Sequence, residues 1–161
     1  MGVEIERKFL LASDNWRAGA DGGVRILQGY FPRTPDGPTV RVRIAGDRAF
    51  LTVKGAAKNF ARSEFEYAIP VADAEAMLRE FCGERLVEKV RYLVPFAGAT
   101  WEVDEYLGEN AGLLTAELEL DSPDASFVPP PWLGREVSGD RRYTNGSLSG
   151  NPYRHWADTV K

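Results

Sequence analysis

The segment EIERKF, residues 4–9, spaces three charged side chains by two residues: Glu4, Glu6 and Lys8. Successive side chains of a β-strand point to opposite faces, so charges spaced by two share one face. Carboxylates and an ammonium group on one face can bind a hard cation or a charged ligand. However, charged residues are also common on the wet face of an antiparallel sheet. One such segment therefore indicates little by itself.

The same spacing recurs in six further segments, in which polar residues alternate with apolar ones. The pairs are Arg41 and Arg43, Thr52 and Lys54, Glu64 and Glu66, Lys89 and Arg91, Glu102 and Asp104, and Glu117 and Glu119. A face that only met water would be expected to mix in serine, threonine, asparagine and glutamine. Seven predicted strands with an almost entirely charged face therefore predict a functional surface.

These residues divide into two sets with different chemistry. The cationic set is Lys8, Arg41, Arg43, Lys54, Lys89 and Arg91. The acidic set is Glu4, Glu6, Glu64, Glu66, Glu102, Asp104, Glu117 and Glu119. Arginine binds phosphate oxygens two at a time, and sites made only of oxygen donors favour Mg²⁺ or Mn²⁺. Together the sets predict a site for a metal-bound polyanion, and polyphosphate fits that description.

The elements that must position these residues are short strands. Two-residue periodicity predicts eight of them, near residues 2–11, 23–32, 38–45, 47–54, 62–70, 85–96, 99–107 and 113–121. The predicted fold is mainly β (α+β), a closed eight-stranded antiparallel barrel with a charged lumen and helices packed outside. Such a barrel has room for side chains or one small ligand. Buried charges need partners or a ligand, which again favours a polyanion site.

The remaining segments predict helices and a connector within one domain, residues 1–161. VADAEAMLREFCG predicts a helix with Asp73 as its cap and Gly83 at its end, and DNWRAGA predicts a shorter one. Three consecutive prolines in SFVPPPWLG exclude a central strand there. We expect an extended connector at that point, followed by a partly helical tail from about Asp140.

Composition excludes several classes of function. The net charge of -4 gives no reason to expect a nucleic-acid partner. No apolar run approaches the length of a membrane span and no signal-peptide pattern opens the chain, so we expect a cytoplasmic protein without a membrane partner. The single cysteine, Cys82, excludes an intrachain disulfide, and the single histidine, His155, is expected to be a solvated tail residue.

The charged segments resemble the CYTH superfamily, the triphosphate tunnel metalloenzymes. EIERKF resembles the E-x-E-x-K signature of that superfamily. The similarity continues through VRVRI, LTVKG, SEFEYAI, VEKVRYLV, WEVDEY, AELEL and EVSGDRRYTN, which together span nearly the whole chain. The resemblance implies a closed eight-stranded tunnel that binds linear triphosphate groups and hydrolyses or cyclises them with Mg²⁺ or Mn²⁺.

The resemblance also implies roles for individual residues. Glu4, Glu6 and Glu119, with Glu117 close by, resemble catalytic metal ligands, and Asp104 resembles the carboxylate that helps to place a second metal. The cationic set as a whole resembles the triphosphate-binding cations. Glu64, Glu66 and Glu102 are expected to be further tunnel-lining residues. We expect Lys89 to serve either as a general base, with its pKa lowered by neighbouring cations, or as a phosphate clamp.

We therefore expect metal-dependent hydrolysis of inorganic triphosphate to pyrophosphate and phosphate. A class IV-type adenylyl cyclase and a thiamine triphosphatase are alternatives, and so is a non-catalytic polyphosphate- or nucleotide-binding protein. The expected partner is a linear triphosphate or a nucleoside triphosphate, and a homodimer is left open. The sequence does not assign roles to Gln28, Tyr30 or the tail. Arg141 and Arg142 are expected to be solvated.

Overall fold

The chain folds mainly into one antiparallel sheet. The computed structural model describes residues 5–56 and 63–156. In sequence order the strands are β1 Ile5–Leu11, β2 Val24–Tyr30, β3 Thr39–Ala45, β4 Arg48–Lys54, β5 Glu64–Ile69, β6 Leu86–Phe96, β7 Ala99–Tyr106, β8 Leu114–Leu120 and β9 Leu133–Glu136. All eight strands predicted from the sequence are present. Each of these strands pairs with its neighbours over most of its length, so polar and apolar side chains alternate between the two faces of the sheet as predicted.

The sheet has nine strands rather than the predicted eight, in the order β5-β4-β3-β2-β6-β7-β8-β1-β9. Its two edges are β5 and β9. Within the residues that the structure describes, these edges do not pair with each other, so the backbone closure expected of a barrel is not seen. The correction to the strand count comes entirely from β9.

β9 is a short edge strand that begins just after the three prolines. It pairs antiparallel with β1, with Leu11 opposite Leu133 and Phe9 opposite Glu136. A Cβ atom at Gly134 would lie 2.8 Å from the carbonyl oxygen of Leu10, so glycine allows this close approach. Four residues without β-branched side chains give no strand signal, which is why periodicity missed β9.

Helix α1, Val71–Met77, continues as a π-helical turn over Leu78–Cys82 and covers the outer face of β2 to β4. A Cβ atom at Gly29 would lie within 3.0 Å of side-chain atoms of Leu78, Leu86 and Cys82, so the absence of a side chain lets helix and strand pack closely. The prediction that Asp73 caps this helix is wrong. Pro70 occupies the cap position, and Asp73 lies in the first turn.

Aromatic side chains fill the outer layer on the other half of the sheet. Trp101 packs edge-to-face against Phe9, Phe127 and Trp132, with ring centroids 5.5 to 5.8 Å apart. A short 3₁₀ turn, Asn15–Gly19, adds the buried Trp16 to this cluster. The outer face is therefore the apolar one, and the charged side chains lie on the opposite face.

The C-terminal tail packs across one end of the sheet. It contains a 3₁₀ turn at Arg141–Tyr143, helix α2 at Asn145–Gly150 and a second 3₁₀ turn at Tyr153–His155. Tyr143, Leu148 and Trp156 join a buried cluster with residues of β6 and β7. This anchor brings polar residues of the tail next to the charged face. Among the residues described, no helix has both the length and the apolar character needed to cross a membrane.

Candidate functional site

One cavity of about 1050 Å³ lies against the charged face of the sheet. Side chains from eight strands and from the tail line it, which means that the sheet curves around the cavity. The predicted site residues among its lining are Glu6, Lys8, Arg41, Arg43, Lys54, Glu64, Glu66, Arg91, Glu102, Glu117 and Glu119. Glu4 lies outside the described residues.

The charges in this cavity are sorted along the sheet. The cation zone, Arg41, Arg43, Lys54 and Arg91, comes from β3, β4 and β6. The acid zone, Glu6, Glu102, Glu117 and Glu119, comes from β7, β8 and β1. The strands that carry the cation zone and the strands that carry the acid zone occupy adjacent parts of the sheet. One side of the cavity can therefore bind anions and the neighbouring side can bind cations.

An ion pair links the two zones, and another lies within the acid zone. Arg91 Nη1 lies 2.8 Å from Glu102 Oε2, and Lys8 Nζ lies 2.9 Å from Glu117 Oε1. Lys8 Nζ also donates to the carbonyl oxygen of Tyr143, at 3.0 Å, which connects β1 to the tail. Lys8 is thus a cation held within the acid zone.

Lys89 and Asp104 lie beneath the cavity surface, with 0% and 2% of each residue exposed. Lys89 Nζ donates to Asp104 Oδ2 at 2.9 Å and to Asn145 Oδ1 at 3.4 Å. Arg91 donates to both oxygens of Asp104, from Nε at 2.8 Å and from Nη2 at 2.9 Å. Asp104 is therefore fully engaged by two cations in this structure.

Burial and ion pairing together set the pKa values of Lys89 and Asp104. Burial lowers the pKa of Lys89 to about 8; Asp104 opposes this shift and Arg91 adds to it. Neighbouring cations, which were expected to be the cause of a lowered Lys89 pKa, contribute to the shift, but burial is the larger cause. Burial alone would raise the pKa of Asp104, but Lys89 and Arg91 outweigh it and lower that pKa to about 2.

Among residues 5–56 and 63–156, no carboxylate forms an ion pair with Arg41 or Arg43. Burial, and then repulsion from Arg41 and Arg91, lower the pKa of Arg43 to about 10. Arg41 Nη2 donates to Thr52 Oγ1 at 3.3 Å, while its buried Nε has no hydrogen-bond partner within the described chain. Buried donors of this kind favour an anionic ligand.

The acid zone brings carboxylates opposite one another across strand pairs. Glu6 faces Glu119 in the β1–β8 pair, and Glu102 faces Glu117 in the β7–β8 pair. Like charges directly opposite are destabilising unless a cation lies between them. These residues supply only oxygen donors, so they fit a hard divalent cation. Over residues 5–56 and 63–156, no three acidic, histidine or cysteine side chains already converge into a metal-binding group.

Sequence reasoning left several cavity residues unassigned. Gln28 and Tyr30 join the cavity side of β2, where Gln28 pairs with Arg43 and Tyr30 with Arg41 across β2–β3. Asn145 reaches the site from the tail and accepts a hydrogen bond from Tyr106 Oη at 2.9 Å. Both β2 residues carry the two-residue spacing, but without a charge the spacing alone did not indicate their face.

Two predictions about the tail differ in outcome. Arg141 is exposed, as expected, and Arg142 is partly exposed, but both also line the cavity, which the sequence pattern did not indicate. The Arg142 side chain also forms an ion pair with Asp140, and the Asp140 carboxylate caps the 3₁₀ turn by accepting a hydrogen bond from the backbone N–H of Arg142. His155 is exposed, as expected, and Cys82 is buried against the sheet.

Comparison with known proteins places this geometry in a family. The CYTH domain matches residues 2–148 of the chain. The chain belongs to the CYTH domain family. Membership of this family implies a divalent metal, in agreement with the all-oxygen donors of the acid zone. The charged segments that resembled the family in the sequence are thus the strands that line the cavity.

The CYTH relatives are similar over nearly their whole length. The chain is 47% identical over 158 residues to an inorganic triphosphatase of Acetivibrio thermocellus, covering 98% of this chain and 100% of the relative. It is 38% identical over 150 residues to an inorganic triphosphatase of Nitrosomonas europaea, covering 91% and 97%. A crystal structure of an inorganic triphosphatase matches with a TM-score of 0.71 and 37% identity, covering 92% of this chain and 95% of that one.

Proposed function

We propose that this protein is an inorganic triphosphatase, which hydrolyses linear triphosphate to pyrophosphate and phosphate. The observation that carries the proposal is the juxtaposition of a cation zone and an acid zone in one cavity. Inorganic triphosphatases that are 47% and 38% identical over nearly the whole chain support the same assignment. The finer proposals of a closed tunnel, of one domain over residues 1–161 and of a cytoplasmic location follow from the sequence patterns.

The cation zone is proposed to bind the substrate. Arg41, Arg43 and Arg91 present guanidinium groups that can hold phosphate oxygens, and Lys54 and Lys8 add point charges. As water attacks a terminal phosphoryl group, negative charge spreads over its oxygens. Cations fixed before the reaction stabilise that charge without further rearrangement.

The acid zone is proposed to hold Mg²⁺ or Mn²⁺. The ligands would be Glu6, Glu117 and Glu119, with Glu4 as a further carboxylate predicted from the sequence. Asp104, also predicted as a ligand, is held by Lys89 and Arg91 and would have to exchange one of these contacts to reach a metal. A bound divalent cation would neutralise phosphate charge and help to orient the attacked group. Glu64, Glu66 and Glu102 are proposed to line the cavity without a direct part in the chemistry.

We propose an electrostatic role for Lys89. Its ammonium group is fully buried and donates to Asp104 and Asn145, and Lys89 is not among the residues that line the cavity, so the side chain does not contact the space where water would attack. Together with Arg91 and Arg43 it adds positive charge beneath the bound phosphates. This arrangement supports neither a general base nor a clamp in direct contact with phosphate, the two alternatives that the sequence left open, and favours a charge that acts through Asp104 and Arg91.

Phosphate release tests the proposed function. With triphosphate and Mg²⁺ or Mn²⁺, we expect each substrate molecule to yield one phosphate and one pyrophosphate. A colorimetric assay measures the phosphate, and ³¹P NMR identifies both products. A chelator should abolish phosphate release and added metal should restore it. Without a divalent cation, the carboxylates of the acid zone would repel the negatively charged substrate. Tight binding of triphosphate without release would contradict hydrolysis and favour a binding protein. Cyclic AMP formed from ATP would instead favour a cyclase.

A further inference from the structure

Two neutral side chains, Gln28 and Tyr30, lie within the cation zone. They belong to β2, which pairs with β3 on one side and with β6 on the other. Gln28 is 0% exposed and Tyr30 is 8% exposed. A buried glutamine among arginines must have its amide satisfied, since an unpaired buried polar group costs stability.

A chain of two hydrogen bonds satisfies this amide. Arg43 Nε donates to Gln28 Oε1 at 2.9 Å, and Gln28 Nε2 donates to the Tyr30 hydroxyl oxygen at 2.9 Å. Burial raises the pKa of Tyr30, with Arg41 and Arg43 opposing, so the phenol stays neutral at physiological pH. Because a guanidinium group can only donate, the amide oxygen of Gln28 faces Arg43, and the phenol oxygen holds the other end of the amide by accepting from Nε2.

Arg43 and Arg91 are anchored in opposite ways. Arg91 is held by the carboxylates of Asp104 and Glu102, which compensate its charge. Arg43 is held by the amide oxygen of Gln28, which orients the guanidinium group without compensating its charge. An Nε anchor leaves the two Nη groups available for the paired hydrogen bonds that a phosphate accepts.

We propose that Gln28, oriented by Tyr30, is a positioning residue that aims Arg43 at the polyphosphate while leaving its charge uncompensated. The inference rests on the proposed function and extends it to substrate affinity. A glutamate at position 28 would also accept the Arg43 hydrogen bond but would cancel its charge. A methionine would match the size of glutamine and provide no strong acceptor.

Titration calorimetry in the presence of a chelator, which stops hydrolysis, measures the affinity of wild type and Gln28 variants for triphosphate. Steady-state assays with metal then give kcat and KM for the same proteins. We expect Gln28→Glu to weaken binding about tenfold or more, because a charge-assisted contact to phosphate is lost. Gln28→Met should weaken it roughly threefold to tenfold, since Arg43 loses its anchor. Both changes should appear in KM more than in kcat. Arg25→Gln, on the outer face of the same strand, is the matched control and should leave affinity unchanged.

A double-mutant cycle isolates the route through Arg43. In an Arg43→Gln background, Gln28→Met should weaken binding by less than about twofold, because the group it positions is absent. An equal loss in both backgrounds, or no loss in either, would overturn the inference. Tyr30→Phe gives a second cycle of the same kind should Gln28→Met fold poorly. If the wild-type protein neither binds nor hydrolyses triphosphate, the proposed function is overturned as well. If the wild type is active but the effects of Gln28→Met and Arg43→Gln on affinity simply add, only this inference is overturned.

Discussion

Replacing Glu119 by glutamine is expected to lower kcat/KM for triphosphate at least about 100-fold, or about 2.7 kcal/mol of transition-state stabilisation. Glu119 is exposed to the cavity and faces Glu6 across the β1–β8 pair. An amide is a poorer ligand for a hard divalent cation than a carboxylate, so the metal would be held weakly or displaced. A metal titration of the variant should show that a higher Mg²⁺ or Mn²⁺ concentration is needed.

The fold of this variant should be intact. Removing one of two facing carboxylates relieves repulsion in the metal-free protein, so the midpoint of thermal unfolding should stay the same or rise. Glu105→Gln makes the same chemical change on the outer face of β7, where Glu105 pairs with Arg17 at 2.8 Å, and it should retain activity. Wild-type turnover by Glu119→Gln across the titration would remove Glu119 from the metal site.

Replacing Asp104 by asparagine is expected to destabilise the protein by about 3–5 kcal/mol, the usual cost of removing one partner of a buried ion pair. Asp104 accepts hydrogen bonds from both Lys89 and Arg91, and the ammonium group of Lys89 is fully buried. Without the carboxylate, two neighbouring cations repel each other in a medium of low polarity. Chemical denaturation in metal-free buffer measures the change in the free energy of unfolding.

At low pH, the difference in the free energy of unfolding between wild type and Asp104→Asn should disappear. The folded pKa of Asp104 is lowered to about 2, so its stabilising effect is present above the unfolded value of 3.8 and is lost as pH falls toward 2. Wild type and Asp104→Asn should therefore converge in stability over that interval. Glu136→Gln, at an exposed ion pair with Arg7, is the matched control and should cost at most about 1 kcal/mol. A cost as small for Asp104→Asn would contradict the buried-pair account.

The strands and their charged face were predictable because the signal is local. Alternation places a residue on one face whatever its neighbours are, and turn residues fix how strands pair. The turn at Ala97 and Gly98, both with positive φ, joins β6 to β7 and sets the register that brings Asp104 opposite Arg91. Which cation Asp104 meets depends on this exact register, which alternation alone does not determine.

Features that depend on distant packing were not predictable in the same way. β9 exists because β1 offers an open edge, and its four residues carry no strand pattern of their own. The tail reaches the cavity because Tyr143, Leu148 and Trp156 are buried against β6 and β7, far away in sequence. This anchoring converts Arg142 and Asn145 from apparent surface residues into parts of the cavity wall.

The central claim is that this cavity recognises a linear triphosphate through its phosphate oxygens and a divalent metal. Tyr30 and Phe31 line the cavity, whereas the aromatic residues that alternate with the charged pairs, such as the exposed Phe65 and Tyr67 and the buried Trp101, lie on the outer face. A nucleobase would therefore lack their stacking contribution, which is worth about 1–3 kcal/mol where proteins use it.

The most direct test is kcat/KM measured side by side for triphosphate, ATP, thiamine triphosphate and pyrophosphate at saturating metal. We expect the highest value for triphosphate and the lowest for pyrophosphate, which is too short to contact both the cation zone and the metal. A nucleotide or thiamine ester that exceeded triphosphate tenfold, a preference of about 1.4 kcal/mol, would contradict the account.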